Sequence, residues 1–120
     1  MIVSVKGEAN ETLSSLAGIY IRGPKLVNDK SHWLQDPGSH AIWHVKEYKA
    51  WAIGLQDDLG TTNPIIASPE NVVGPQRVTS WYTLDSKNVD NILVDIEPGE
   101  LPDLSIYEYF PEYSILYSLK

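Results

Sequence analysis

Ser39 to Gly54 reads SHAIWHVKEYKAWAIG, two tryptophans, a tyrosine and two histidines within sixteen residues. Its two apolar runs, AIWHV (41–45) and AWAIG (50–54), are rich in the β-branched and aromatic residues that favour strands. Four residues, Lys46-Glu47-Tyr48-Lys49, separate them, which is the length of a hairpin connection, so the two runs are expected to pair antiparallel. Side chains alternate across a strand, which puts Ala41, Trp43 and Val45 on one face and Ile42 and His44 on the other. The register that buries most apolar surface sets Trp43 and Val45 on the core face with Trp51 and Ile53, and turns His40, Ile42 and His44 outward. At about 3.3 Å per residue His40 and His44 then lie about 13 Å apart. A metal needs each nitrogen about 2 Å away, so these two cannot share one, and no metal is expected.

Outward from the hairpin, turn residues recur at short intervals: Gly18, Gly23-Pro24, Pro37-Gly38, Gly60, Asn63-Pro64, Pro69, Gly74-Pro75, Pro98-Gly99, Pro102 and Pro111. Such spacing leaves room for strands and little for long helices. The runs at 2–5, 18–21, 31–35, 64–68, 78–84 and 92–96 are short, with a high share of β-branched or aromatic residues, and join the hairpin as expected strands. One short helix is expected after Asn10, a good N-cap, over ETLSSLA, with Gly18 placed to end it. The chain of 120 residues suits one domain. The fold class is therefore mainly β: a single small antiparallel domain, barrel- or sandwich-like, of about six to eight strands with at most one or two short helices. Residues 88–120 form an acidic, aromatic C-terminal segment that can pack on it. Within that segment SIYEY alternates like a strand, Ile115, Leu116 and Leu119 suit a helical face, and Pro111 interrupts either element.

The formal charge of −7 is unevenly spread, and from Asn88 to Leu119 there are seven acids and no base. A phosphate backbone is repelled by such a surface, so no nucleic-acid partner is expected, and a basic protein partner fits better. No apolar run reaches the roughly 18 residues of a membrane helix, and MIVSV is shorter than the apolar centre of a secretion signal, so no membrane partner is expected. The chain has no cysteine, which rules out disulfides, zinc-thiolate sites and cysteine nucleophiles and agrees with a reducing, cytoplasmic setting. Asn10-Glu11-Thr12 is formally a glycosylation sequon, a pattern short enough to arise by chance.

Catalytic signatures are sparse. There is no Gly-x-Ser-x-Gly elbow, and RGPKLVND (22–29) offers one glycine followed by a proline without the N–H a phosphate loop donates. QDDLGTTN (56–63) gathers acids and hydroxyls without the ligand spacing of a calcium loop. No cofactor is expected. The aromatic side chains are the best functional material, and Trp33, Trp43, Trp81, Tyr82 and Tyr48 are the candidate binding residues. Exposed aromatics stack on sugars or anchor protein partners, whereas in a small β domain most tryptophans are core. The expectation is a non-catalytic recognition or scaffold module that binds a protein or an extended chain through an aromatic face or a sheet edge. One alternative is a carbohydrate-binding module using Trp33, Trp43 or Trp81 as platform. Another is a small hydrolase pairing His32, His40 or His44 with Asp57 or Asp58.

Over residues 16–81 the landmarks follow a recognisable order: Gly18-Ile19-Tyr20, then Val27-Asn28 before His32-Trp33, then Ile42-Trp43 leading into Trp51-Ala52-Ile53-Gly54, then Pro75 and Trp81. This order resembles the small Gly-x-Tyr/Trp-x-Ile-Gly modules of large multidomain proteins from protists and other eukaryotes. Lys30-Ser31-His32-Trp33 stands here where that module more often has a proline and a tyrosine. The resemblance implies a β-rich accessory or recognition unit and supplies no catalytic residue.

Overall fold

The computed structural model describes residues 1–98. Nine strands run through them: β1 (Ile2–Val5), β2 (Gly18–Arg22), β3 (Trp33–Gln35), β4 (His40–Val45), β5 (Ala50–Leu55), β6 (Ile66–Ser68), β7 (Trp81–Thr83), β8 (Asn88–Val89) and β9 (Ile92–Asp95). Eight of them lie on runs expected from the sequence. The ninth, β8, is two residues long, too short for any alternation to show. The expected helix is α1 (Glu11–Ser14), and Asn10 caps it by accepting a 2.8 Å hydrogen bond from the Leu13 N–H. Gly18 does not end this helix but begins β2.

Every pairing is antiparallel. Each strand from β1 to β8 pairs with its neighbours in sequence, and β9 returns to the free side of β1. The two ends of this order, β8 and β9, are separated in the chain by Asp90 and Asn91 alone. A sheet whose first and last strands are joined by two residues has to curl round on itself, and the result is a nearly closed, barrel-like sheet. Asn91 fastens the seam. Its carbonyl accepts from the Lys6 N–H at 2.8 Å, and its side-chain Nδ2 donates to the Glu8 carbonyl at 2.8 Å.

The central hairpin departs from its expected register. Val45 pairs with Ala50, Trp43 with Ala52, Ile42 with Ile53 and His44 with Trp51. A four-residue connection closed by a direct pair matches odd-numbered residues with even-numbered ones, so Trp43 and Trp51 fall on opposite faces. Trp51, Ile53, Ile42 and His44 turn inward, and Trp43 and Val45 turn outward. The assumption that failed was that one face alone is buried. All six residues of β4 are buried, as are the first five of β5.

Two clusters account for this. The barrel interior holds Trp33, Trp51, Trp81, Tyr20, Ile42, Ile53 and Ile66, with the Trp33 and Trp51 rings 6.1 Å apart and tilted by 52°. Burial of each large side chain contributes on the order of 2–3 kcal/mol. On the outer face Ala41, Trp43, Val45 and Ala52 form a second cluster beneath Val27 and Leu59, which come from the connections before β3 and after β5. Hydrogen bonds fix this roof. Trp43 Nε1 donates to the Thr61 carbonyl at 3.1 Å, and Asn28 Nδ2 donates to the carbonyls of His44 and Gly60 at 2.8 and 3.1 Å.

Candidate functional site: a groove on the outer face

Past the roofed part of the sheet, the same outer face continues across β5, β6 and β7. The register sets Ala52 beside Ala67 and Ala67 beside Tyr82, and places Ala50 one step along from Ala52 on that face. Alanines stand little above the backbone, so the floor is low between taller neighbours. Tyr48, from the connection of the central hairpin, rises on one side, and Tyr82, Leu84 and Ser86 bound the other. Pro64 and Pro69, which flank β6, contribute further apolar walls. The resulting groove has a volume of about 630 Å³. Tyr48 is 70% exposed and Leu84 58% exposed, so large apolar surface here is offered to solvent.

No charged side chain lines the groove, and two ion pairs lie near its rim. Lys46, two residues before Tyr48, meets Asp29 at 2.8 Å, and Lys87, next to Ser86, lies 3.6 Å from Asp85. The hydrogen bond from Lys46 holds the Asp29 carboxyl below the usual carboxylate range. Asp85 is held low as well, first by the Thr83 hydroxyl that donates to it and then by Lys87. These carboxylates stay ionised at neutral pH and are poor general acids. No histidine lines the groove. Its chemistry is that of contact: burial of an apolar ligand between two phenol rings.

Of the residues singled out from sequence, the structure brings Tyr48 and Tyr82 together in this groove. Trp33 and Trp43 are fully buried and Trp81 is 2% exposed. These three candidates are corrected: they are core side chains, and none offers a ring face on which a sugar could stack. Alternation alone did not separate them from Tyr82, because tryptophans face both sides of this sheet. Leu84, Ala50, Ala67, Pro64 and Pro69 were missed as site residues. A signal for the floor existed, since small residues on the face opposite Trp51 and Ile53 follow from the odd-even pairing of the hairpin.

All three histidines are buried. His40 and His44 point into the barrel rather than away from it, because the register matches them with Leu55 and Trp51. His40 Nδ1 meets Gln35 Oε1 at 2.9 Å. Gln35 Nε2 donates to the carbonyls of Ser15 and Ala17, so Oε1 is the acceptor and the His40 proton resides on Nδ1. His44 sits edge-on to Trp51 with centroids 5.1 Å apart. His32 lies against Gly23, where a Cβ would come within 1.9 Å of its Nε2. Burial pushes the imidazoles of His32 and His40 below their ordinary value. Asp57 and Asp58 lie in a 3-10 turn after β5. Among the described residues no group of three histidines or carboxylates is placed to hold a metal.

Fold and site together define a nine-stranded, barrel-like antiparallel β domain with an apolar groove on its outer face. No protein-family model matches the chain, and no curated protein or solved structure matches it. Among the described residues no helix is long and apolar enough to cross a membrane.

Proposed function

We propose that this protein is a non-catalytic recognition module that takes an extended segment of a partner protein into the groove between Tyr48 and Tyr82. The observation that carries the reading is the alanine floor, Ala50 and Ala67, set between exposed apolar walls. An extended chain presents a side chain to the same side about every 6.6 Å, and one or two large apolar residues on such a chain fill a groove of this size. The chain's formal charge of −7 favours encounter with a basic segment, while the matched pairs near the rim leave the contact itself apolar. The order of glycine, asparagine and tryptophan landmarks, similar to that of accessory modules in multidomain proteins, agrees with a recognition role.

A displayed library of extended peptides tests this. Enrichment of sequences with an apolar or aromatic residue flanked by Lys or Arg is expected, with affinity reduced at least tenfold by Tyr82→Ala and by Leu84→Ser. A library that yields no enrichment, or binders indifferent to both substitutions, would remove the groove from the account.

A further inference from the structure

Resting on the recognition role stated above, we propose that the groove between Tyr48 and Tyr82 takes a proline-rich stretch of its partner in the polyproline II conformation, and not a β-strand. The floor decides against a strand. β5 is bonded to β4 and β6, β6 to β5 and β7, and β7 to β6 and β8, so the ladders beneath the groove are taken on both sides. Strand addition needs an unpaired edge, and a chain laid on this face meets side chains alone. At the bottom these are Ala50 and Ala67, with Pro64 and Pro69 beside them, and none of the four side chains has a hydrogen-bonding group. An ordinary extended chain carries one N–H and one C=O per residue. Every N–H turned towards this surface loses its water without gaining an acceptor.

Proline removes that cost, because it has no N–H. The polyproline II helix makes no internal hydrogen bonds and leaves its carbonyls open to a donor outside the chain. Donors stand at the sides of the groove in the phenol hydroxyls of Tyr48 and Tyr82. The hydroxyl of the buried Tyr20 is committed to the Leu16 carbonyl at 2.6 Å, whereas among the described residues neither Tyr48 nor Tyr82 gives its hydroxyl to another protein group. The rings supply the second half of the contact. Prolines dock against aromatic walls, and a preformed helix loses little freedom in doing so. The uncharged lining suits a core of prolines, and the chain's formal charge of −7 favours Lys or Arg in the flanks.

The test is calorimetric titration of the full chain with three lysine-flanked peptides. One has a Pro-x-x-Pro core, whose two prolines share a face because the helix repeats every three residues. The second has alanine at both proline positions, and the third alternates Val and Thr as a strand former. The proline peptide is expected to bind at least about tenfold more tightly than either of the others. Its affinity is expected to fall about two- to tenfold in Tyr48→Phe and in Tyr82→Phe, which lose the hydroxyl and keep the ring, and further in Tyr82→Ala. Preference for the alanine peptide or the strand former, with binding still weakened by Tyr82→Ala, would overturn the polyproline assignment and leave the groove as a binding site. Affinity for the proline peptide unchanged in both phenylalanine variants, or untouched by Tyr82→Ala, would overturn it as well. So would failure of all three peptides to bind, and the displayed library then decides separately whether the groove takes any segment.

Discussion

Gly54 shows how closely this fold is fitted at single positions. A Cβ there would stand 2.8 Å from the Trp43 ring and 3.0 Å from the Pro64 Cα, with the backbone on one side unable to yield cheaply. Gly54→Ala is expected to cost about 1–3 kcal/mol in denaturant unfolding through overpacking, and Trp43 fluorescence gives a local readout of the displaced roof. Asn28 combines a φ of 54° with two side-chain hydrogen bonds that join separate connections. Asn28→Ala is expected to cost about 1–3 kcal/mol by leaving those carbonyls without their donor. The buried histidines set a pH dependence. With His32 and His40 below their ordinary value in the fold, the unfolded chain binds more protons near and below pH 6.5. Stability is therefore full above that pH and falls as the pH drops through the folded values. The melting temperature is expected to be lower at pH 5 than at pH 7.5, with the difference reduced in His32→Asn/His40→Asn; an equal slope in that variant would refute the assignment.

At the scale of elements, the central hairpin was legible as a hairpin and misread in its faces. Residue types gave the strands and the connection length gave the pairing, but the assumption of one buried face outweighed the parity that four connecting residues impose. The same connection carries a backbone cost, because Lys49 has a φ of 50°. Lys49→Gly is expected to raise stability by about 0.5–1 kcal/mol, since glycine adopts this region without the Cβ penalty, offset in part by its greater freedom when unfolded. Equilibrium denaturation measures it, and no gain would mean that the strain is relieved elsewhere. The strands at 64–68 and 78–84 were legible by composition, though each is shortened to three residues by the turns around it. β8 gave no signal, since two residues carry no periodicity.

At the scale of the molecule, one pairing differs in kind from the rest. β1 to β8 pair with sequence neighbours, whereas β1 and β9 join residues from opposite ends of the described chain, with Val3 opposite Val94. The entropy of closing so long a loop has to be met before the contact contributes, so this seam is expected to form after the local hairpins. Val94 is 4% exposed in the interior cluster. Val94→Ala is expected to cost about 1–3 kcal/mol and to appear mainly as faster unfolding in stopped-flow kinetics. A mainly slower folding rate would place the seam in the nucleus instead.

By itself the sequence determined the chemical class of the protein: a single mainly β chain built of short strands, acidic, without cysteine, without a phosphate loop or nucleophile elbow, and rich in aromatic side chains. These follow from local properties, since strand preference, turn chemistry and charge are carried by neighbouring residues. The tertiary structure decided which aromatics are surface and which are core. Exposure depends on what lies across the sheet, and the roof over Trp43 comes from Val27 and Leu59, residues distant in sequence. It also decided that the sheet curls on itself, because the return of β9 to β1 is a long-range pairing that no local pattern announces. The groove is a product of both. Its alanines and tyrosines stand in the sequence, but only the register of three strands sets Ala52, Ala67 and Tyr82 side by side.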